Sequence, residues 1–143
     1  MGDLLKSLRP GQWTKNLFVF AALLFGREAL IGSSVLRAAG AFAVFCLLSG
    51  ATYLVNDVCD LAADRLHPKK RLRPIASGRL STRRALAAAA VLTVAALAGA
   101  FALRPLLAAV AALYAALTLA YSLRLQNVVI LDVFLIASGF ILR

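Results

Sequence analysis

Residues 38–56 read AAGAFAVFCLLSGATYLVN, nineteen positions without a charge, bounded by Arg37 and Asp57. At about 1.5 Å of rise per residue, such a run makes a helix about 28 Å long, close to the ~30 Å hydrocarbon core of a bilayer. The same length recurs further along the chain. Nineteen uncharged residues separate Arg84 from Arg104, and nineteen more separate Arg104 from Arg124. The run Leu125–Leu142 is interrupted by Asp132 alone. Nearer the N-terminus, eleven residues lie between Lys15 and Arg27, so that helix is expected to start near Pro10 and to carry Lys15. Five membrane helices are therefore expected, at 10–30, 35–58, 84–103, 105–123 and 126–143. The fold class is an all-α integral membrane protein, a multi-span helical bundle forming one domain over 1–143, with a cytoplasmic loop at about 59–83.

Composition excludes the other classes. The chain has 143 residues, 62% hydrophobic and 15% charged, against about 45–50% and about 25% in a soluble domain. Disordered, collagen-like and disulfide-framed chains fail on the same numbers, and the apolar residues come in runs rather than heptads. Two cysteines, Cys46 and Cys59, make no disulfide scaffold. A cleaved signal peptide is disfavoured because Lys15 and Asn16 fall where its apolar region would begin. Alanine fills 29 positions, densely over 85–120, and small residues let membrane helices approach closely. Pro105 directly after Arg104 predicts a tight hairpin between the third and fourth spans.

Basic residues set the orientation. With the N-terminus inside, twelve of the sixteen Lys and Arg fall on cytoplasmic segments, and only Arg27, Arg37 and Arg104 lie at the outer side, with Arg143 at the chain end.

The first apolar run opens directly into the most informative stretch, Tyr53-Leu54-Val55-Asn56-Asp57-Val58-Cys59-Asp60-Leu61-Ala62-Ala63-Asp64-Arg65. Asp57, Asp60 and Asp64 are half of the six acids in the chain, and their offsets predict a single helical stripe shared with Asn56 and Tyr53. Stacked carboxylates repel each other, and desolvation at a membrane boundary adds to the cost. A divalent cation removes both penalties, and magnesium is held by one or two carboxylates plus substrate phosphates. The plainer alternative pairs these acids with Arg65, Lys69 and Lys70.

The loop that follows, Arg65-Leu66-His67-Pro68-Lys69-Lys70-Arg71-Leu72-Arg73-Pro74-Ile75-Ala76-Ser77-Gly78-Arg79, is strongly basic. Its charge would serve topology alone, but a carboxylate stripe beside a Lys/Arg cluster suits a di- or polyphosphate. Nucleic acid, the other partner of basic loops, has no use for such a stripe at a membrane. His67 reads as a loop or helix-end residue, Trp13 as an interfacial anchor, and Lys15 as either a snorkelling side chain or a phosphate contact. Asp132, an acid within a span, is a functional candidate with Arg124 or Asn127 as its simplest partners.

The pattern Asn56-Asp57-x-x-Asp60-x-x-x-Asp64 resembles the first acidic motif, N-D-x-x-D-x-x-x-D, of the UbiA-type membrane prenyltransferase superfamily. The chain is most similar to the decaprenyl-phosphate phosphoribosyltransferase branch. Leu8-Arg9-Pro10-x-Gln12-Trp13-x-Lys15-Asn16, Tyr53-Leu54-Val55-Asn56-Asp57 and Asp64-Arg65-x-His67-Pro68-x-Lys70-Arg71-x-Arg73-Pro74-Ile75-Ala76-Ser77-Gly78 carry that resemblance. Tyr121-Ser122-Leu123-Arg124-Leu125 and Leu131-Asp132-Val133 continue it, and Gln126 departs from it, standing where the branch commonly has Lys.

The resemblance implies a nine-helix fold in which two acidic motifs face each other across magnesium and diphosphate. The second motif is expected beyond residue 143, so the chain resembles an N-terminal half whose activity would need a C-terminal half or self-association as a homo-oligomer. The implied reaction transfers 5-phosphoribosyl from phosphoribosyl diphosphate to a polyprenyl phosphate such as decaprenyl phosphate, in cell-wall arabinan precursor synthesis. Asn56 and Asp60 are the expected magnesium ligands, with Asp57 and Asp64 as further ligands or their supports. Lys15, Lys70 and Arg73 are the expected phosphate contacts, and Tyr53 a hydrogen-bond donor. One alternative is an aromatic prenyltransferase using an allylic diphosphate, whose cation needs aromatic shelter. Another is a non-catalytic membrane subunit.

Overall fold

The computed structural model describes residues 2–25 and 31–123, and among these every regular element is helical. Helix α1 (Gly2–Ser7) leads into a 3₁₀ helix at Pro10–Phe20 and a short α2 (Ala21–Phe25). The longest element, α3 (Gly32–Cys59), is followed by α4 (Leu61–Leu66) and a 3₁₀ turn at Lys70–Leu72. Two further helices, α5 (Thr82–Leu103) and α6 (Pro105–Leu123), complete the described chain.

Three of these helices, α3, α5 and α6, are long and apolar enough to cross a membrane, and they are the three nineteen-residue runs of the sequence. The hairpin between α5 and α6 is as tight as Pro105 requires. Arg104 alone separates the helices, with an extended backbone, and Pro105 occupies the first position of α6, where no N–H is needed. Helix α5 starts two residues before the expected position because the Ser81 hydroxyl accepts from the Arg84 N–H and caps it.

The N-terminal span needs a correction. Its described part is a 3₁₀ helix of eleven residues followed by five residues of α-helix, not one α-helix over 10–30. At about 2.0 Å per residue the 3₁₀ portion reaches about 22 Å, against about 16 Å for an α-helix, so a short apolar segment covers more of the bilayer. Residues three apart eclipse in such a helix, which places Trp13, Asn16 and Val19 in one row. Asn16 is buried, Trp13 is half-buried and Val19 packs on the core. The expected helix at 126–143, with Asp132, lies outside the described residues.

Small residues set the packing. Ala85, Ala89, Ala96 and Ala100 of α5 are at most 3% exposed and form one seam, at helical spacing, against α3. At Gly40 a Cβ would fall 2.7 Å from Leu103 Cδ1, so the Leu103 side chain lies directly over the missing side chain. Phe45 meets Tyr114 of α6 edge-on at 5.4 Å, and the hydroxyls of Thr52 and Thr118 lie 3.3 Å apart. Leu86, Val91, Val94 and Phe101 of α5 and Leu106 and Leu113 of α6 stay exposed. Large apolar side chains on the outer faces of such helices suit a lipid surrounding.

The basic loop folds back onto this bundle. Ile75 and Leu80 are buried with Leu54 of α3 and Ala85 and Ala89 of α5, while Leu4 and Leu8 pack on the same cluster. A turn at Gly78, with φ of 80°, reverses the chain, and Leu80 N–H closes on Pro74 O at 2.9 Å. Only glycine takes that backbone without cost. The apolar anchor at Ile75 thereby fixes Arg73, two residues earlier.

Enlarging the α5 seam tests this packing. Ala96→Leu adds the Cγ and both Cδ atoms at a fully buried position and is expected to cost about 1–3 kcal/mol. Thermal unfolding in detergent should show a lower midpoint, and an unchanged midpoint would contradict the close α3–α5 contact.

Candidate functional site

The last turns of α3 and the whole of α4 carry the acidic motif. The backbone bends at Asp60 (φ −84°, ψ 3°), yet Asp60 N–H bonds Asn56 O at 2.9 Å and Asp64 N–H bonds Asp60 O at 2.8 Å. Helical spacing therefore persists across the bend. The structure divides the expected single stripe into two pairs. Asp57 and Asp64 turn inward and are 2% and 1% exposed. Asn56 and Asp60 are half-buried, and the Asn56 Nδ2 donates to Asp60 Oδ2 at 3.2 Å.

The two buried carboxylates are answered by arginines. Arg73 Nη1 donates to Asp64 Oδ2 at 2.6 Å and to Asp57 Oδ1 at 3.2 Å, so one nitrogen bridges both acids. Arg9 Nη2 donates to the same Asp57 Oδ1 at 2.5 Å, and its guanidinium carbon lies 4.8 Å from the centre of the Tyr53 ring. Lys70 Nζ reaches Asp64 Oδ1 only at 4.0 Å. The partners named by the plainer sequence reading are thus mostly different ones, since Arg65 Nε instead donates to Ala76 O at 3.4 Å.

Further bonds tie the loop to the N-terminal segment. Arg79 donates from Nε to Asp3 Oδ1 at 3.1 Å and from Nη2 to Leu72 O at 2.9 Å. His67 caps α4, and its Nδ1 accepts from the backbone N–H of Lys69 and Lys70 at 3.2 and 3.3 Å, as a helix-end residue does. Between the N-terminal segment, α3 and the loop lies a cavity of about 230 Å³ lined by Lys6, Ser7, Arg9, Asp57, Lys69, Leu72, Arg73 and Pro74. Four cations face one carboxylate there, so the cavity attracts anions.

The remaining expected residues sit as follows. Tyr53 is half-buried with its ring under Arg9, and Arg73 stands at the centre of the ion pairs. Lys15 is exposed on the 3₁₀ helix, and no ion pair joins it to the acids among the described residues. Asn16 Nδ2 instead donates to Cys46 Sγ and Ser49 Oγ of α3, each at 3.3 Å. Trp13 has its indole N–H buried rather than at a water interface, without a partner among the described residues. Arg124, Gln126, Asn127 and Asp132 lie outside the described residues.

Sequence reasoning counted Lys6 only as a topological charge, and named Arg9 within the Leu8–Asn16 resemblance without giving it a role. Arg9 stands 48 positions from Asp57, so no spacing rule links them. The available signal was its place directly before Pro10, where the chain turns sharply: Arg9 has φ of 52°, the only positive value among the described non-glycine residues.

Oxygen donors suit a hard cation, and the Asn56–Asp60 pair brings an amide and a carboxylate together. Among the described residues no group of three or more His, Cys, Asp or Glu forms a cage. The pair therefore fits a magnesium ion that takes most of its ligands from phosphates and water.

The sequence pattern of the UbiA prenyltransferase family matches residues 16–143. A decaprenyl-phosphate phosphoribosyltransferase of Mycolicibacterium smegmatis is 42% identical over 151 residues, covering 100% of this chain and 46% of that protein. A protein of the same name from Mycobacterium tuberculosis is 41% identical, covering 100% of this chain and 49% of its own length. An uncharacterized protein y4nM of Sinorhizobium fredii is 44% identical over 99% of this chain and 27% of its own length. The chain thus spans about half the length, or less, of the curated relatives it matches.

Removing the bridging guanidinium should be severe. Arg73→Ala leaves two buried carboxylates short of a counter-charge and is expected to destabilise the protein by about 3–5 kcal/mol. Adding Asp57→Asn and Asp64→Asn to it should recover part of that loss. Melting curves in detergent read both effects, and a neutral Arg73→Ala would contradict the bridge.

Proposed function

The chain belongs to the UbiA prenyltransferase family, and on that footing we propose that it supplies the phosphate-holding and metal-holding part of a membrane transferase. The reaction moves a 5-phosphoribosyl group from phosphoribosyl diphosphate to a polyprenyl phosphate, a step of cell-wall arabinan precursor synthesis. The observation that carries this reading is the cationic cavity lined by Asp57 of the acidic motif, the residue next to Asn56 at the end of α3. Identity over the whole chain to proteins named decaprenyl-phosphate phosphoribosyltransferase supports the choice of substrates.

The chemistry asks for little covalent work by the protein. The bond from the ribose C1 to the diphosphate oxygen breaks, a bond from C1 to a lipid phosphate oxygen forms, and diphosphate leaves. The attacking oxygen is already anionic, so no general base is needed. Positioning and charge stabilisation supply the rate. Arg9, Arg73, Lys6 and Lys69 line the cavity in which phosphate oxygens are held, and Arg suits phosphate through paired donors. Asn56 and Asp60 would hold magnesium, which when bound neutralises the charge that develops on the leaving diphosphate. Lys15 sits apart from these groups and is left for the lipid phosphate, the one substrate that approaches from within the membrane.

Excess positive charge on the N-terminal segment and the 59–83 loop supports a cytoplasmic location for both in this reading. That side also holds the water-soluble donor. Four cations around one cavity exceed what an allylic diphosphate asks for, which favours a donor with an additional phosphate.

The test is binding of phosphoribosyl diphosphate to the purified chain in detergent, with and without magnesium, against an allylic diphosphate competitor. The expected result is magnesium-dependent binding that outcompetes the allylic compound and weakens at least about tenfold in Asp60→Asn, the loss of one charge-assisted contact. Preference for the allylic diphosphate would replace this donor with a prenyl one, and binding of neither would overturn the reading.

A further inference from the structure

Asp57 sits in the middle of the acidic motif, yet its surroundings differ from those of Asp60. Its side chain is buried, and its Oδ1 already accepts two charge-assisted bonds, from Arg9 Nη2 and Arg73 Nη1. A carboxylate oxygen offers two lone pairs, so that oxygen is saturated. A cation at either oxygen of this carboxylate would stand against both guanidiniums, in a region that holds four positive side chains.

We propose that Asp57 is a positioning residue that holds Arg9 and Arg73 side by side as the two arms of a phosphate-receiving cavity, and that it is not a metal ligand. This deepens the function proposed above and rests on it for the identity of the anion. Three observations carry the assignment. Both arginines line the cavity, and Asp57 is the carboxylate between them. Among the described residues Arg73 makes its carboxylate bonds through Nη1 and Arg9 through Nη2, so each guanidinium keeps further N–H donors. Arg9 also holds a left-handed backbone, φ 52° and ψ 60°, immediately before Pro10. That conformation is costly for a residue with a side chain, and the bond to Asp57 and the contact with the Tyr53 ring hold it there.

The arrangement separates two tasks within one motif. Asp57, together with Asp64 through Arg73, orders cations that have come from distant parts of the chain. Asn56 and Asp60, joined by the bond from Asn56 Nδ2 to Asp60 Oδ2, are the pair assigned to the metal. Ordering the arginines before the anion arrives removes an entropic cost from binding.

The experiment uses the purified chain in detergent with two probes, inorganic diphosphate in the presence of a chelator and Mn2+ alone followed by electron paramagnetic resonance. Arg9→Ala and Asp57→Ala should each weaken metal-free diphosphate binding by about tenfold, the loss of one charged hydrogen bond. The double variant should bind no worse than the weaker single one, because the two residues act as a unit. Asp57→Asn, which keeps an acceptor oxygen, should restore diphosphate binding to within about threefold of the parent, while Asp60→Asn abolishes the Mn2+ signal and Asp57→Asn leaves it unchanged. Multiplying losses in the double variant, undiminished diphosphate binding in Asp57→Ala, or Mn2+ loss in Asp57→Asn equal to that in Asp60→Asn would each overturn the assignment. Should Asp57→Ala fail to fold, Arg9→Ala and Asp57→Asn carry the same discrimination. Neither probe contains ribose, so failure here is distinct from failure of the phosphoribosyl reading, which is decided by donor preference.

Discussion

One guanidinium nitrogen, Arg73 Nη1, answers two buried carboxylates, Asp57 and Asp64, at the boundary where α3 leaves the apolar bundle. Much of the site depends on that bridge. Without it, two desolvated charges would repel each other, a cost that a marginally stable fold does not absorb. With it, the acidic helix end, the basic loop and the N-terminal segment close on one another. Burying a charge pair is rarely a net gain over apolar packing. Its value here lies in specifying where three separate pieces of chain must meet.

The apolar scaffold makes the meeting possible. The alanine seam of α5 draws it against α3, and Ile75 and Leu80 pin the returning loop to the acidic-motif end of the same helix pair. Arg73 is carried into place by the burial of Ile75, and Arg9 by the packing of Leu4 and Leu8 on the same cluster. Arg9 and Arg73 of the cavity thus stand one and two residues from side chains of the apolar cluster, Leu8 and Ile75. Such placement gives long cationic side chains fixed origins, which loops alone seldom provide.

Much of this was legible in the sequence, and the parts that were not share a physical cause. Charge-free runs of nineteen residues marked α3, α5 and α6, because water exclusion forbids charge over that length whatever the tertiary contacts. The motif was legible as chemistry, since Asp57, Asp60 and Asp64 at helical offsets demand compensation. Its division into an inward pair and an outward pair was not, because a helical stripe read from offsets ignores what packs on either flank. Arg9 escaped notice because its partner is 48 positions away and only the folded chain joins them. The 3₁₀ geometry of Pro10–Phe20 was equally hidden, for its residues are compatible with either helix.

The division of labour between the two pairs of the motif is the account's central claim, and the position of a bound metal decides it most directly. Crystals of the protein grown with diphosphate and Mn2+ should give an anomalous peak within coordination distance of Asp60 and the Asn56 side chain, with Arg9 and Arg73 still on Asp57. A peak coordinated by Asp57, with either arginine displaced from it, would contradict the account.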